Sequence, residues 1–308
     1  SGGKPAWRRV TSFDSTGAHL MDTQLPPPVN TLKYMCVGYG YWVLVTQEGG
    51  AKLTLNGARI KADTPLALQQ DWNLIGYLPN TVYYDTTNPP TCEFPLDVTS
   101  FVQKPAPVTG FVLASIAGKF RRVTSFDCTG AHLYDTTLPP PVNTLHYMGP
   151  GYGYWIKMNE PANLIYPLDT PAAPPLVFSG GPIAVPRPNN YAGSNVTPTN
   201  TSLFVYGKVT IDDKEAQVGD VVTVYTEGGT LAGEFIVAFE GMYGSIAVYG
   251  DDLFTERVEG AHEDEKLYFK VNGHPADAVT PYIPLWTEDR DVIRVDLATR
   301  TEVIPKSF

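Results

Sequence analysis

The chain has 308 residues, 43% of them hydrophobic, with a formal net charge of −10, and it carries 28 Gly, 28 Pro and 18 Tyr. That length supports two or three cores, and the wealth of turn formers and aromatic residues points to β structure. The acidic balance, with no Lys/Arg cluster, argues against nucleic acid, and no apolar run approaches the roughly 20 residues of a membrane helix.

Residues 1–20 lack the charged-then-apolar order of a signal peptide. From Arg8 the chain enters an internal repeat. At an offset of 113 residues, Arg8–Trp42 aligns with Arg121–Trp155 without a gap, and 29 of the 35 positions are identical. Each copy reads RRVTSFD, TGAHL, LPPPVNTL and GYGYW, strand-like segments punctuated by Gly and Pro. After Trp42 comes VLVTQEGGAKLTLNG, the pattern of a hairpin, then two strand candidates, Pro65–Leu68 and Trp72–Tyr77. A 43-residue lead-in, Leu78–Phe120, precedes the second copy, whereas the first has seven residues before it. Within that lead-in, Val108–Ala117 suits a short helix capped by Thr109 and stopped by Gly118. The first unit therefore lacks a front end, which predicts an open sheet edge or an apolar gap there.

Residues 171–202 contain seven prolines and read as an extended linker, with sequons at Asn195 and Asn200. From Leu203 about seven strands follow at short spacing, among them LFVYGKVTI, VVTVYT, GEFIVAF, YGSIAVYG and KLYFKVNG. The expected architecture is all-β: a first repeat module over 1–69, a second over 70–170, the linker over 171–202, and an immunoglobulin-like β-sandwich over 203–308.

The segments Trp72–Tyr77, Val112–Phe120 and Gly151–Trp155, with Gly38–Trp42 in the preceding unit, resemble bacterial and archaeal extracellular modules that carry W-N-L-I-G-Y and G-x-G-Y-W motifs. Residues 203–300, through Val205-Tyr206-Gly207, Val218-Gly219-Asp220, Tyr243-Gly244 and Val271-Asn272-Gly273, resemble immunoglobulin-like or prealbumin-like accessory domains of surface and S-layer-type proteins. The resemblance implies a secreted or cell-surface location and a structural rather than a chemical role.

Candidate sites are few. Tyr39, Tyr41, Tyr152 and Tyr154 are the residues to test for ring stacking on a glycan, while strand alternation turns Trp42 and Trp155 to the opposite face, toward a core. Asp251, Asp252, Glu256 and Glu259 offer oxygen ligands for calcium, against the alternative of a solvated acidic loop. His19 and His132 recur beside Asp14 and Asp127, a spacing that suits structural hydrogen bonds. Cys36, Cys92 and Cys128 form no metal-ligand spacing, and their odd number leaves at least one thiol unpaired. No nucleophile elbow, zinc helix, phosphate loop or dinucleotide fingerprint is present. These observations predict a non-catalytic structural or assembly component with no obligatory cofactor, partnered by its own kind through an open edge. The alternative is a carbohydrate-binding module or adhesin of a larger secreted protein.

Overall fold

The computed structural model describes residues 6–14, 17–48, 50–53, 60–85, 90–94, 98, 100–168, 195–197, 199, 201–237, 239–252 and 255–301. The chain is almost wholly β, with one α-helix among the described residues. It forms two compact units: Ser1–Asp127 with Tyr134–Thr137 and Leu145–Arg187, and Cys128–Leu133 with Leu138–Thr144 and Pro188–Phe308. Most of the proline linker, and the sequon at Asn200, lie outside the described residues. Copy one lies in the first unit, whereas copy two is divided, with Cys128–Leu133 and Leu138–Thr144 assigned to the second.

The first unit contains β1 (Trp7–Asp14), β2 (Gly17–Asp22), β3 (Trp42–Val45), β4 (Leu66–Leu68), β5 (Asp71–Gly76), β6 (Thr81–Tyr84) and β7 (Ser100–Gln103). Helix α1 (Val108–Val112) follows, then β8 (Phe120–Asp127), β9 (Gly130–Asp135, whose residues 130–133 are assigned to the second unit), β10 (Tyr147–Met148), β11 (Gly153–Met158) and β12 (Ala162–Leu164). The duplicated sequence makes duplicated strands. Copy one gives a sheet of order β2-β1-β3 and copy two gives β9-β8-β11, with β5 added beyond β11.

The fourth strand is the first difference between the copies. It pairs antiparallel with β11, setting Leu74 opposite Trp155 and Trp72 opposite Lys157. A second small sheet, β10-β6-β7, places Tyr83 and Tyr84 against Met148 and Tyr147. The predicted helix is real but shorter than expected, and its cap differs. Pro107 holds the N-cap position, Asp85 Oδ2 accepts from Val108 N at 3.0 Å, and Thr109 is buried inside the helix. A 3-10 turn, Ala114–Ile116, completes the segment, and Gly118 follows at φ +76°. Val108, Val112, Leu113 and Ile116 pack with Val123, Tyr154, Ile156, Met148 and Leu164 into one core. Strand β4, placed by sequence in the first module, pairs with β12 of the second. The predicted hairpin partner of β3 is not a strand over Ala51–Leu53, and Thr54–Arg59 lie outside the described residues.

The second unit carries β13 (Ser202–Ile211), β14 (Lys214–Glu215), β15 (Val221–Tyr225), β16 (Leu231–Ile236), β17 (Met242–Tyr249), β18 (Tyr268–Val271), β19 (His274–Ala278), β20 (Val292–Arg294) and β21 (Leu297–Thr299). Alternation in β15 buries Val222 and Val224 toward a core that includes Leu203, Val205, Tyr243, Ile246, Phe269 and Trp286. Long β13 serves two sheets: its first half pairs with β17 and β20, its second with β14 and β21. Left-handed turns at Asp212-Asp213 and Asn272-Gly273 close the β13–β14 and β18–β19 hairpins, as Asp and Asn-Gly sequences favour. Gly207 is obligatory where β13 passes Val295, since a Cβ there would sit 2.1 Å from the Val295 carbonyl oxygen.

Candidate functional site

The two copies meet face to face in a reciprocal seam. Phe13 packs on Trp155 at 5.3 Å between ring centroids, and Trp42 packs on Phe126 at 5.0 Å, with nearly equal interplanar angles of 56° and 58°. Phe13 and Phe126 are repeat equivalents, as are Trp42 and Trp155, so each copy makes with the other the contact it receives. That is the signature of a two-fold relation. Equivalent glycines meet at its centre, where a Cβ on Gly153 would lie 3.6 Å from the Gly40 Cα. The two tryptophans are half-buried in the seam between the copies and do not belong to the buried core.

The polar skeleton is the same in both copies. Arg9 Nε donates to Asp22 at 2.9 Å and Arg122 Nε to Asp135 at 2.8 Å, with Arg8 and Arg121 each 3.4 Å from the same carboxylates. Both aspartates are fully buried. Burial alone would push Asp22 and Asp135 up, but the backbone N–H of Gln24 or Thr137 and the paired guanidinium hold both below the ordinary 3.8. Ser12 and Ser125 hydroxyls donate to the Gly40 and Gly153 carbonyls, each at 2.9 Å. Thr31 and Thr144 hydroxyls accept from Leu20 N and Leu133 N, each at 3.0 Å.

The apolar surroundings are not the same. In copy two, β5, β6 and the α1 segment cover the sheet, whereas among the described residues nothing equivalent covers copy one. Met148 is fully buried against 47% exposure for its equivalent Met35, and Tyr34 is 81% exposed. Val43, Leu44 and Val45 on β3 are all exposed, while Ile156 and Met158 at the matching positions of β11 are buried. Among the described residues β3 pairs with β1 alone. Tyr34, Met35, Val37, Tyr39 and the three β3 residues are exposed large apolar side chains, with Leu44 on the side of β3 opposite Val43 and Val45. The sequence signal for this exposure was the short lead-in before Arg8; the exposed identities of Tyr34, Met35 and Val37 were not singled out.

The four candidate tyrosines do not form a platform. Tyr154 is 1% exposed and its hydroxyl accepts from Gly149 N at 2.9 Å, so it has no face left for a sugar. Tyr152 packs against Phe94 and donates to the Glu93 carbonyl at 2.9 Å. Burial raises the hydroxyls of both well above the ordinary tyrosine value. Tyr41 is half-buried, its hydroxyl accepting from Cys36 N at 2.6 Å, and only Tyr39 keeps substantial exposure. Of the acidic candidates, Asp251 accepts from Glu259 N at 2.9 Å and Glu259 accepts from the Thr255 hydroxyl. No three of Asp251, Asp252, Glu256 and Glu259 bring ligand atoms within 4.8 Å of one another among the described residues. Loop hydrogen bonds account for Asp251 and Glu259 without an ion.

His19 Nε2 lies 3.0 Å from Asp14 Oδ1; in the second copy His132 Nε2 is 2.9 Å from the Thr129 hydroxyl and the Tyr147 hydroxyl donates to Asp127. Cys92 and Cys128 are disulfide-bonded, so neither offers a thiolate to a metal, and Cys36 is free and exposed. No helix among the described residues is long and apolar enough to cross a membrane. No protein-family model matches the chain, and no match to it was found among curated proteins or solved structures.

Proposed function

We propose that the chain is a non-catalytic assembly component of a secreted or cell-surface protein, in which the first repeat copy presents a surface for another polypeptide. One observation carries this reading: Met35 is 47% exposed where the identical Met148 is fully buried, and Leu32 and Tyr41 are half-buried where the identical Leu145 and Tyr154 are buried. A solvent-facing sheet with an open, apolar edge strand is a template for strand addition. The disulfide-bonded cysteines agree with an oxidising, extracellular compartment.

Binding of 1-anilinonaphthalene-8-sulfonate tests it. Fluorescence that Leu44→Lys lowers, with the melting temperature unchanged, is the expected result. Fluorescence unaltered by Leu44→Lys overturns the reading.

A further inference from the structure

The second copy shows what belongs on the first. Resting on the assembly reading above, we infer that the exposed face of copy one is the seat of a segment with the chemistry of Asp71–Lys119. It belongs to a further unit of the same repeat, outside these 308 residues and joined ahead of β1. Neither this molecule nor a second copy can supply the cover without uncovering itself, because β5 already lies on β11 and β6 on β10. Chain order also matters. In copy two the cover runs directly into β8 through Lys119, and Ala6 is the matching position ahead of β1. The Ala6 carbonyl accepts from Thr46 N at 3.0 Å, as the Lys119 carbonyl accepts from Asn159 N at 2.7 Å.

The register follows from the duplication. On β11, Ile75, Leu74, Asn73 and Trp72 face Tyr154, Trp155, Ile156 and Lys157; on β3 the same strand would face Tyr41, Trp42, Val43 and Leu44. A second strand, equivalent to β6, would pair with Tyr34 and Met35 as Tyr84 and Tyr83 pair with Tyr147 and Met148. The seat continues an existing interface, since β5 already bridges across to copy one through Gly76 N to the Gly38 carbonyl at 3.0 Å and Gly40 N to the Leu74 carbonyl at 3.2 Å.

Two departures specify how the occupant differs from Asp71–Lys119 itself. Lys157 places its ammonium 5.4 Å from the Trp72 ring and 3.9 Å from Asp71. Leu44 stands at that position in copy one, so the occupant there meets an apolar side chain and needs no acid at the place of Asp71. Gly149 lies so close to Phe94 that a Cβ would be 2.3 Å from the ring. Cys36 stands at that position in copy one, so the occupant carries a smaller residue where Phe94 would be, and Cys36 becomes covered when the seat is filled.

Cys36 therefore reports occupancy. Residues 70–119, with Cys92→Ser and Phe94→Ala in the added segment, are fused to the chain in place of residues 1–6. Maleimide labelling of Cys36 should slow by about tenfold or more, as expected when an exposed thiol becomes covered by packed structure. Trp72→Asp with Leu74→Asp in the added segment should restore the original rate. In parallel, a synthetic peptide spanning Gln70–Tyr84 should slow labelling of the unfused chain in a saturable way. Unchanged labelling in both the fusion and the peptide experiment overturns the inference. If the chain nevertheless self-associates through β3, this occupant is wrong and the assembly reading stands.

Discussion

The two repeat copies are a controlled comparison built into one chain: nearly the same sequence, the same strands, the same buried Arg–Asp bonds, and opposite fates for their apolar residues. Local sequence sets which strands form and which polar groups pair, because Arg9 with Asp22 and Arg122 with Asp135 lie on strands adjacent in each copy. Burial of Met35 or Met148 depends on a different segment. Among the described residues, β5 pairs along β11 of copy two and touches copy one near Gly38–Gly40, and β6 pairs with β10. Strand order and polar bonds can thus persist with a half-open apolar face, provided the other face is sealed. The Phe13–Trp155 and Trp42–Phe126 seam does that for both.

The largest effects should come from the buried carboxylates. Asp135→Ala leaves two guanidinium groups facing an emptied site, and breaking a buried charge pair this way costs about 3–5 kcal/mol. Asp22→Ala should cost as much. Denaturant unfolding measures both, and a much smaller loss for Asp22 would show that the polar skeleton of copy one is not equivalent to that of copy two. Next in size, Met148→Ala should destabilise by about 2–4 kcal/mol through cavity formation, whereas Met35→Ala should cost under about 1 kcal/mol. Equal losses would mean that the face of copy one is covered after all.

Gly40→Val probes the seam. A Cβ there meets Leu74 Cδ1 at 2.7 Å and the Ile75 carbonyl at 2.9 Å, and forcing it in should cost about 1–3 kcal/mol. Near-ultraviolet circular dichroism of the seam aromatics should change with it; an unaltered spectrum and stability would deny the close approach. The smallest effect is in pH dependence. Asp22 and Asp135 are held below 3.8 in the folded state, so their contribution is present above the unfolded value and is lost as pH falls through the lower folded one. Asp135→Asn should flatten the acid limb of the stability curve below about pH 4, where the unfolded carboxyl begins to bind its proton. An acid limb as steep as in the parent chain would place the titration elsewhere.

Much of this was legible in advance. The 113-residue offset gave the paired sheets, and Pro65–Leu68 and Trp72–Tyr77 became strands. The helix cap was misassigned to Thr109 because a side-chain oxygen at a helix start looks like a cap, whereas Asp85, 23 residues upstream, supplies the acceptor for Val108 N. Tyr154 could not be told from Tyr39 by pattern. Both occupy the same face of a GYGYW strand, and only the α1 segment and its neighbours decide that Tyr154 is core.

Sequence by itself determined the all-β class, the duplication and the hairpin turns. Periodicity, Gly/Asn/Asp turn chemistry and self-alignment are local properties that need no partner. Only the tertiary structure decided that the two copies seal each other through a reciprocal aromatic seam, that β4 closes onto β12, and that one copy is covered while its twin is not. Those outcomes depend on which surfaces meet, and residues of the same identity, such as Met35 and Met148, carry no local mark of what will be laid over them.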